Sequence, residues 1–210
     1  MSAVSGRHYA VVIAVAYFAS AAFYSRIPEP YCGPGCSMVL AKPLIAFVLP
    51  TAVAVVVGLL GLLWRRDPVR DRDAHMESAY GTIILALVCL ILGVHTMVLV
   101  TLMSGLHRDA VQVAARAVPV MLGLTLIVIG NLLPKLRPNI VIGIRTSRTL
   151  TDRAAWARAN RAAGYAAVGS GASFLLAGLL PTLPVMEFAT VAALGVMTTL
   201  AWHSWRSRHA

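Results

Sequence analysis

Apolar residues along this chain gather into six long runs, and almost every charged residue falls between them. The runs are roughly Tyr9–Tyr24, Leu44–Trp64, Ala79–Met103, Ala117–Leu133, Ala162–Leu180 and Val185–Trp202. A helix needs about 20 apolar residues to cross the hydrocarbon core of a bilayer. Lipid offers no partner to a peptide N–H or C=O, so runs of this length are read as helices, which satisfy their own backbone. The pattern predicts an all-α polytopic membrane protein with six transmembrane helices. Pro119 falls near the start of the fourth run, where a missing N–H does no harm. The first run has a rival reading as a secretory signal, with Arg7 ahead of it and the small residues Ala19-Ser20-Ala21 near its end. It is long for a signal and reads better as a span.

Composition agrees with the pattern: 59% of the 210 residues are apolar and 12% charged, which excludes an ordinary soluble domain. The net charge of +10 raises the question of nucleic acid, but its distribution answers otherwise. With the N-terminus placed in the cytoplasm, 14 of the 18 basic residues fall in inside segments, leaving Arg26, Lys42, Arg108 and Arg116 outside. That asymmetry follows the positive-inside rule and places both termini in the cytoplasm. The lipid bilayer is the partner that accounts for the charge, and no direct nucleic-acid contact is called for.

The connectors are mostly plain. Tyr24–Pro43, the first outside loop, is rich in Pro and Gly and carries Cys32 and Cys36 around Gly33-Pro34-Gly35. A disulfide closing that turn and two free thiols both fit, since oxidation is permitted outside the cell but so small a ring is strained. A metal pair has no third or fourth ligand nearby in sequence. Cys89 lies within an apolar helix and reads as core. The first inside loop alternates arginines with Asp67, Asp71, Asp73 and Glu77, a self-paired solvated connector. At membrane depth the polar residues are few: His95, Asn131 at the end of the fourth run, and Glu187 at the mouth of the sixth. Such a residue is a functional candidate by default, yet a His with no acid at its depth reads as hydrogen-bonded packing. No nucleophile motif, phosphate loop or carboxylate pair is present, and nothing calls for a catalytic residue, metal or cofactor. The glycines of "GYAAVGSGASFLLAG" read as close helix packing.

Pro134 to Arg161 is different. Seven basic residues face one acid, Asp152. Pro134 and Pro138 stop the fourth helix and hold "KLRPN" extended, and Asn139 is suited to a turn or cap. The run "IVIGI", Ile140–Ile144, is too short to span and too apolar for water, so it should lie at the interface or tuck beneath the bundle. Gly143 within it permits a turn or a close backbone approach. Thr149 stands three residues before Asp152, the spacing of a capping box with a short acid, and predicts the start of a short interfacial helix between the fourth and fifth spans. At 100° per residue, Trp156, Asn160 and Ala163 share one side of it, with Arg153, Arg158 and Arg161 on another. Trp156 is expected as a headgroup-level anchor.

This stretch, "GNLLPKLRPNIVIGIRTSRTL" followed by Trp156, Arg161 and Gly164, resembles the motif of the SdpI family of bacterial membrane immunity proteins. The resemblance falls on Asn131, Pro134, Lys135, Pro138, Asn139, Gly143, Arg145, Thr146, Trp156 and Arg161, with Asn160 standing where the family favours His. Ser147-Arg148 stands where it favours Pro-Trp, and with Asn160 in place of the His no role for a titrating imidazole at that helix carries over. A weaker resemblance in the N-terminal third suggests two regions: 1–78, two helices with the Cys-containing outside loop, and 79–210, four helices with the motif loop at 130–164. The resemblance implies a multi-pass protein of the bacterial plasma membrane that protects against a secreted membrane-active toxin. It also implies two partners, a toxin peptide from outside and a cytoplasmic repressor held at the membrane. The reading from another class is a small transporter or channel with His95, Asn131 and Glu187 along a path. An intramembrane enzyme would need a nucleophile or carboxylate pair that the chain lacks.

Overall fold

The structure is a computed structural model that describes residues 3–27, 31–32, 39–66, 74–139 and 141–180. Six helices run through them: α1 (Ala3–Phe23), α2 (Lys42–Arg66), α3 (Ala74–Met103), α4 (Arg108–Leu132), α5 (Ser147–Thr151) and α6 (Arg153–Leu179). All but α5 are long and apolar enough to cross a membrane, giving five candidate spans among the described residues. The expected sixth, Val185–Trp202, and Glu187 with it, lie outside the described residues. Between α1 and α2 a two-residue antiparallel ladder pairs Tyr31 with Leu40 and Cys32 with Val39. Cys36 and the turn that would join it to Cys32 lie outside the described residues.

The helices alternate in direction and pack in two groups, α1–α2–α3 and α4–α6, with α3 against α4. Their outer faces are greasy: Val15, Phe18, Val55, Leu59, Val113 and Leu179 are all exposed, as a lipid-facing surface requires. Cys89 is exposed on this surface too, not in the core.

The α4–α6 seam is built from glycine. A Cβ on Gly130 would meet the Gly164 carbonyl at 2.6 Å, and one on Gly123 the Gly171 carbonyl at 2.6 Å. A Cβ on Gly178 would meet the Arg116 carbonyl at 2.7 Å, so the two antiparallel helices touch backbone to backbone at three levels, seven residues apart on each. Only the absence of a side chain lets helix axes come so close.

At one end of the α1–α2–α3 group, His95 of α3 is buried and its Nε2 lies 2.9 Å from the Ser20 hydroxyl of α1. Pro50 inside α2 explains what faces it from the third side. Proline has no N–H for the carbonyl one turn back, which is Ala46, and the Ala46 carbonyl approaches the His95 ring. His95 Nδ1 does not reach hydrogen-bond geometry with it. His95 thus serves as a polar joint between three helices. Beyond it, Tyr24 and Tyr17 both stack on Phe47, 5.8 and 6.2 Å between ring centres, and Lys42 Nζ sits 4.9 Å over Tyr24.

Two expectations are corrected. Pro119 is well inside α4, because the helix begins nine residues before the apolar run, at Arg108. The amphipathic turns "RDAVQVAARA" are good helix formers, and hydropathy alone does not see them. The stretch expected as a separate interfacial helix is instead the start of α6, continuous with the fifth span, and only five-residue α5 stands apart.

Candidate functional site

The motif loop occupies the end of the bundle where α1 begins, α2 ends and α3 begins. Buried Leu133, Leu136 and Trp156 share one apolar cluster with Tyr9, Ala79 and Tyr80. Val141, Ile142 and Ile144 pack against the same cluster, so this part of the apolar run tucks under the bundle. α4 runs into a 3-10 turn, Leu133–Lys135, opened by Pro134, and the chain is extended at Leu136.

Asn139 then shapes the turn. It is fully buried, and its Oδ1 accepts the N–H groups of Val141 at 2.9 Å and Ile142 at 2.8 Å. Its Nδ2 donates to the Arg137 carbonyl at 2.9 Å. A short amide can donate and accept at once over so few residues. Gly143 follows at φ +122°, where a Cβ would meet Asn160 Oδ1 at 2.7 Å and the Trp156 ring at 2.8 Å. Both reasons for glycine, conformation and space, apply at this one position.

From α6, Asn160 and Trp156 hold the loop from above. Asn160 Oδ1 accepts the Ile144 N–H at 3.0 Å, while its Nδ2 donates to the Trp156 carbonyl at 3.1 Å. Trp156 Nε1 donates to the Leu136 carbonyl at 2.6 Å. Trp156 is therefore not a headgroup anchor; only 2% of it is exposed, and it joins both arms of the loop. The helix faces expected from the sequence do hold, since Asn160 and Ala163 are also buried and Arg153, Arg158 and Arg161 are exposed.

Capping differs from expectation. Thr146 is the N-cap of α5 and Thr149 its N3 residue: Thr149 N–H donates to Thr146 Oγ1 at 3.1 Å and Thr146 N–H to Thr149 Oγ1 at 2.8 Å. Thr149 Oγ1 also donates to the Ile144 carbonyl at 2.8 Å. Sequence reasoning gave Thr149 the cap and left Thr146 only as a motif match; the Thr-x-x-Thr spacing was the available signal. Asp152 begins α6, its Oδ1 accepting the Ala154 N–H at 2.8 Å. The N–H groups of Ala155 and Ala154, with Arg158 and Arg148 nearby, hold its carboxyl below the ordinary range.

The predicted residues thus separate by role. Pro134, Asn139, Gly143, Thr146, Trp156 and Asn160 build the loop, with Pro134 against Gly164 and Pro138 half-buried. Lys135, Arg145 and Arg161 are exposed on it, together with Arg137, Arg148, Arg153 and Arg158. Asn131 is exposed and turned back on its own helix, Nδ2 to the Ile127 carbonyl at 2.9 Å. It does not meet His95, which lies toward the opposite end of the bundle. Among the described residues no three His, Cys, Asp or Glu side chains come together as metal ligands would.

The loop is thus bonded internally, with its cations outward. Residues 135–202 match the model of the SdpI/YfhL protein family. Over these residues the chain is similar to that family. Similarity also extends along the chain: the curated protein named Immunity protein SdpI, from Bacillus subtilis (strain 168), is 22% identical over 205 residues, covering 93% of each chain. No solved structure matches. The matched segment takes in all the loop residues from Lys135 onward, and α6 with them.

Proposed function

We propose that this protein is a membrane immunity protein, protecting its cell against a secreted toxin that acts on the membrane. The observation that carries the reading is the motif loop: its buried residues are spent on fixing its shape, and its exposed residues are a set of cations. Such a surface suits recognition more than catalysis, and a cytoplasmic partner with an acidic patch is the chemistry it would attract. A small repressor held at the membrane is such a partner. The similarity to Immunity protein SdpI over nearly the whole chain supports the same reading. The orientation that fits places the loop, and both termini, on the cytoplasmic side of the plasma membrane, because the loop is the most basic part of the chain.

The test is a strain lacking the protein, exposed to the secreted proteins of its own culture while membrane potential is followed by dye fluorescence. Loss of potential, restored by the intact chain, is expected. Arg145→Ala, exposed at the densest part of the loop, should insert at equal level yet fail to protect or to retain a cytoplasmic partner. Unchanged protection and retention by that variant would refute the role of the loop.

A further inference from the structure

α1 and α2 meet closely at one end and part at the other. Toward the Lys42 end they are joined by the Tyr17–Phe47 and Tyr24–Phe47 stacks and by the Tyr17 hydroxyl, 2.6 Å from Thr51 Oγ1. Toward the Arg65 end each is tied to α3 instead. Tyr9 of α1 donates to the Gly81 carbonyl at 2.8 Å, and Tyr80 of α3 donates to the Leu60 carbonyl of α2 at 3.2 Å. Between them is a groove of about 450 Å³, walled by Tyr9, Ile13, Ala54, Gly58 and Leu62, with Arg65 at its mouth. The Tyr9 hydroxyl is engaged with α3, so the wall it gives the groove is its ring.

We infer that this groove seats one acyl chain of an anionic phospholipid, with the phosphate at Arg65. Three features select that occupant. From Ala54 to Arg65 the groove follows α2 for about 16 Å, at 1.5 Å per residue. That is the depth of one leaflet, half of the ~30 Å hydrocarbon core. Its lining is apolar along this length and cationic only at the end where a headgroup would lie. Gly58 leaves it open: a Cβ there would meet nothing within 4 Å. Phosphatidylcholine would fill the apolar part equally well and also bears a phosphate, but its choline cation cancels that charge, so Arg65 favours the lipid whose headgroup is net negative. The inference does not rest on the immunity reading.

Native mass spectrometry tests it, on protein released from vesicles of equal parts phosphatidylcholine and phosphatidylglycerol. The intact chain should retain phosphatidylglycerol over phosphatidylcholine by about fivefold, the ratio corresponding to the attraction of one basic residue for an anionic lipid surface. Arg65→Ala should remove the preference, and Arg66→Ala, one residue on and outside the lining, should keep it. Gly58→Phe, which fills the groove, should retain neither lipid. Equal retention by the intact chain, or equal loss of preference in both arginine variants, would overturn the inference. So would a Gly58→Phe variant whose lipid retention is intact or whose change is in the number of copies per particle. The last would mean the groove seats a helix of a second copy.

Discussion

Replacing Gly143 with alanine adds one methyl group, and the structure sets what that methyl must overcome. At φ +122° an L-residue is in a region held essentially by glycine, a strain of about 1–3 kcal/mol. The new Cβ would also sit 2.7 Å from Asn160 Oδ1 and 2.8 Å from the Trp156 ring. Neither neighbour is a loose end, since Asn160 is bonded to Ile144 and Trp156 to Leu136. Overpacking against fixed groups adds about 1–3 kcal/mol. Together the closed loop should lose about 2–5 kcal/mol, allowing for partial relaxation. In native-state hydrogen exchange this is a faster rate at the Val141, Ile142 and Ile144 amides, by roughly thirty-fold to a few thousand-fold if they exchange through loop opening. Amides in the middle of α3 should be unchanged, because the loop is not part of that helix. Undiminished protection at the three loop amides in Gly143→Ala would refute the reasoning.

Other outcomes follow from the same geometry. Gly164→Leu should lower the thermal midpoint in detergent by an amount equivalent to about 3 kcal/mol or more, because its Cβ meets backbone across the α4–α6 seam. Gly169→Leu, one turn on and facing open space, should leave the midpoint unchanged; equal losses would deny the seam. Trp156→Phe keeps an aromatic ring of smaller volume and strands the Leu136 carbonyl, the latter alone a cost of about 1–3 kcal/mol, read as a lower denaturant midpoint. Asp152 supplies a pH dependence. Its folded pKa lies below the ordinary 3.8, chiefly through the Ala155 and Ala154 N–H groups. Its contribution is therefore complete above that value and is lost as pH falls below it, through the lower folded pKa. The stability difference between the intact chain and Asp152→Asn should narrow in that acid window and stay constant from there to neutral pH.

How much of this was legible depends on the range of the interaction. Five spans were, among the described residues, because the length of an apolar run is a local property and lipid leaves helix as its answer. So were the Asn139 turn, the freedom required at Gly143 and the shared side of Trp156, Asn160 and Ala163, all of which follow from spacing within a few residues. The contacts that close the loop were not. Asn160 reaches back 16 residues to Ile144 and Trp156 reaches back 20 to Leu136, and no periodicity announces such a pair. Trp156 misled for a physical reason: an indole beside basic residues suits a headgroup region and a buried carbonyl equally well. The Ala46 carbonyl beside His95 was not legible either, because it depends on α3 passing in front of Pro50's helix.

The Gly130–Gly164 contact also determines what the loop is as a binding surface. The 33 residues between these glycines leave and return at a point where two backbones touch, so the segment is a ring closed by the membrane-embedded helices. Closing a ring of that length in solution would cost a flexible chain roughly 3 kcal/mol in its length-dependent part alone. Here that cost is met when the bundle folds, before any partner arrives. The cations of the loop are thus presented preorganised, and an arriving partner forgoes the ordering penalty that a free basic tail of the same charge would impose.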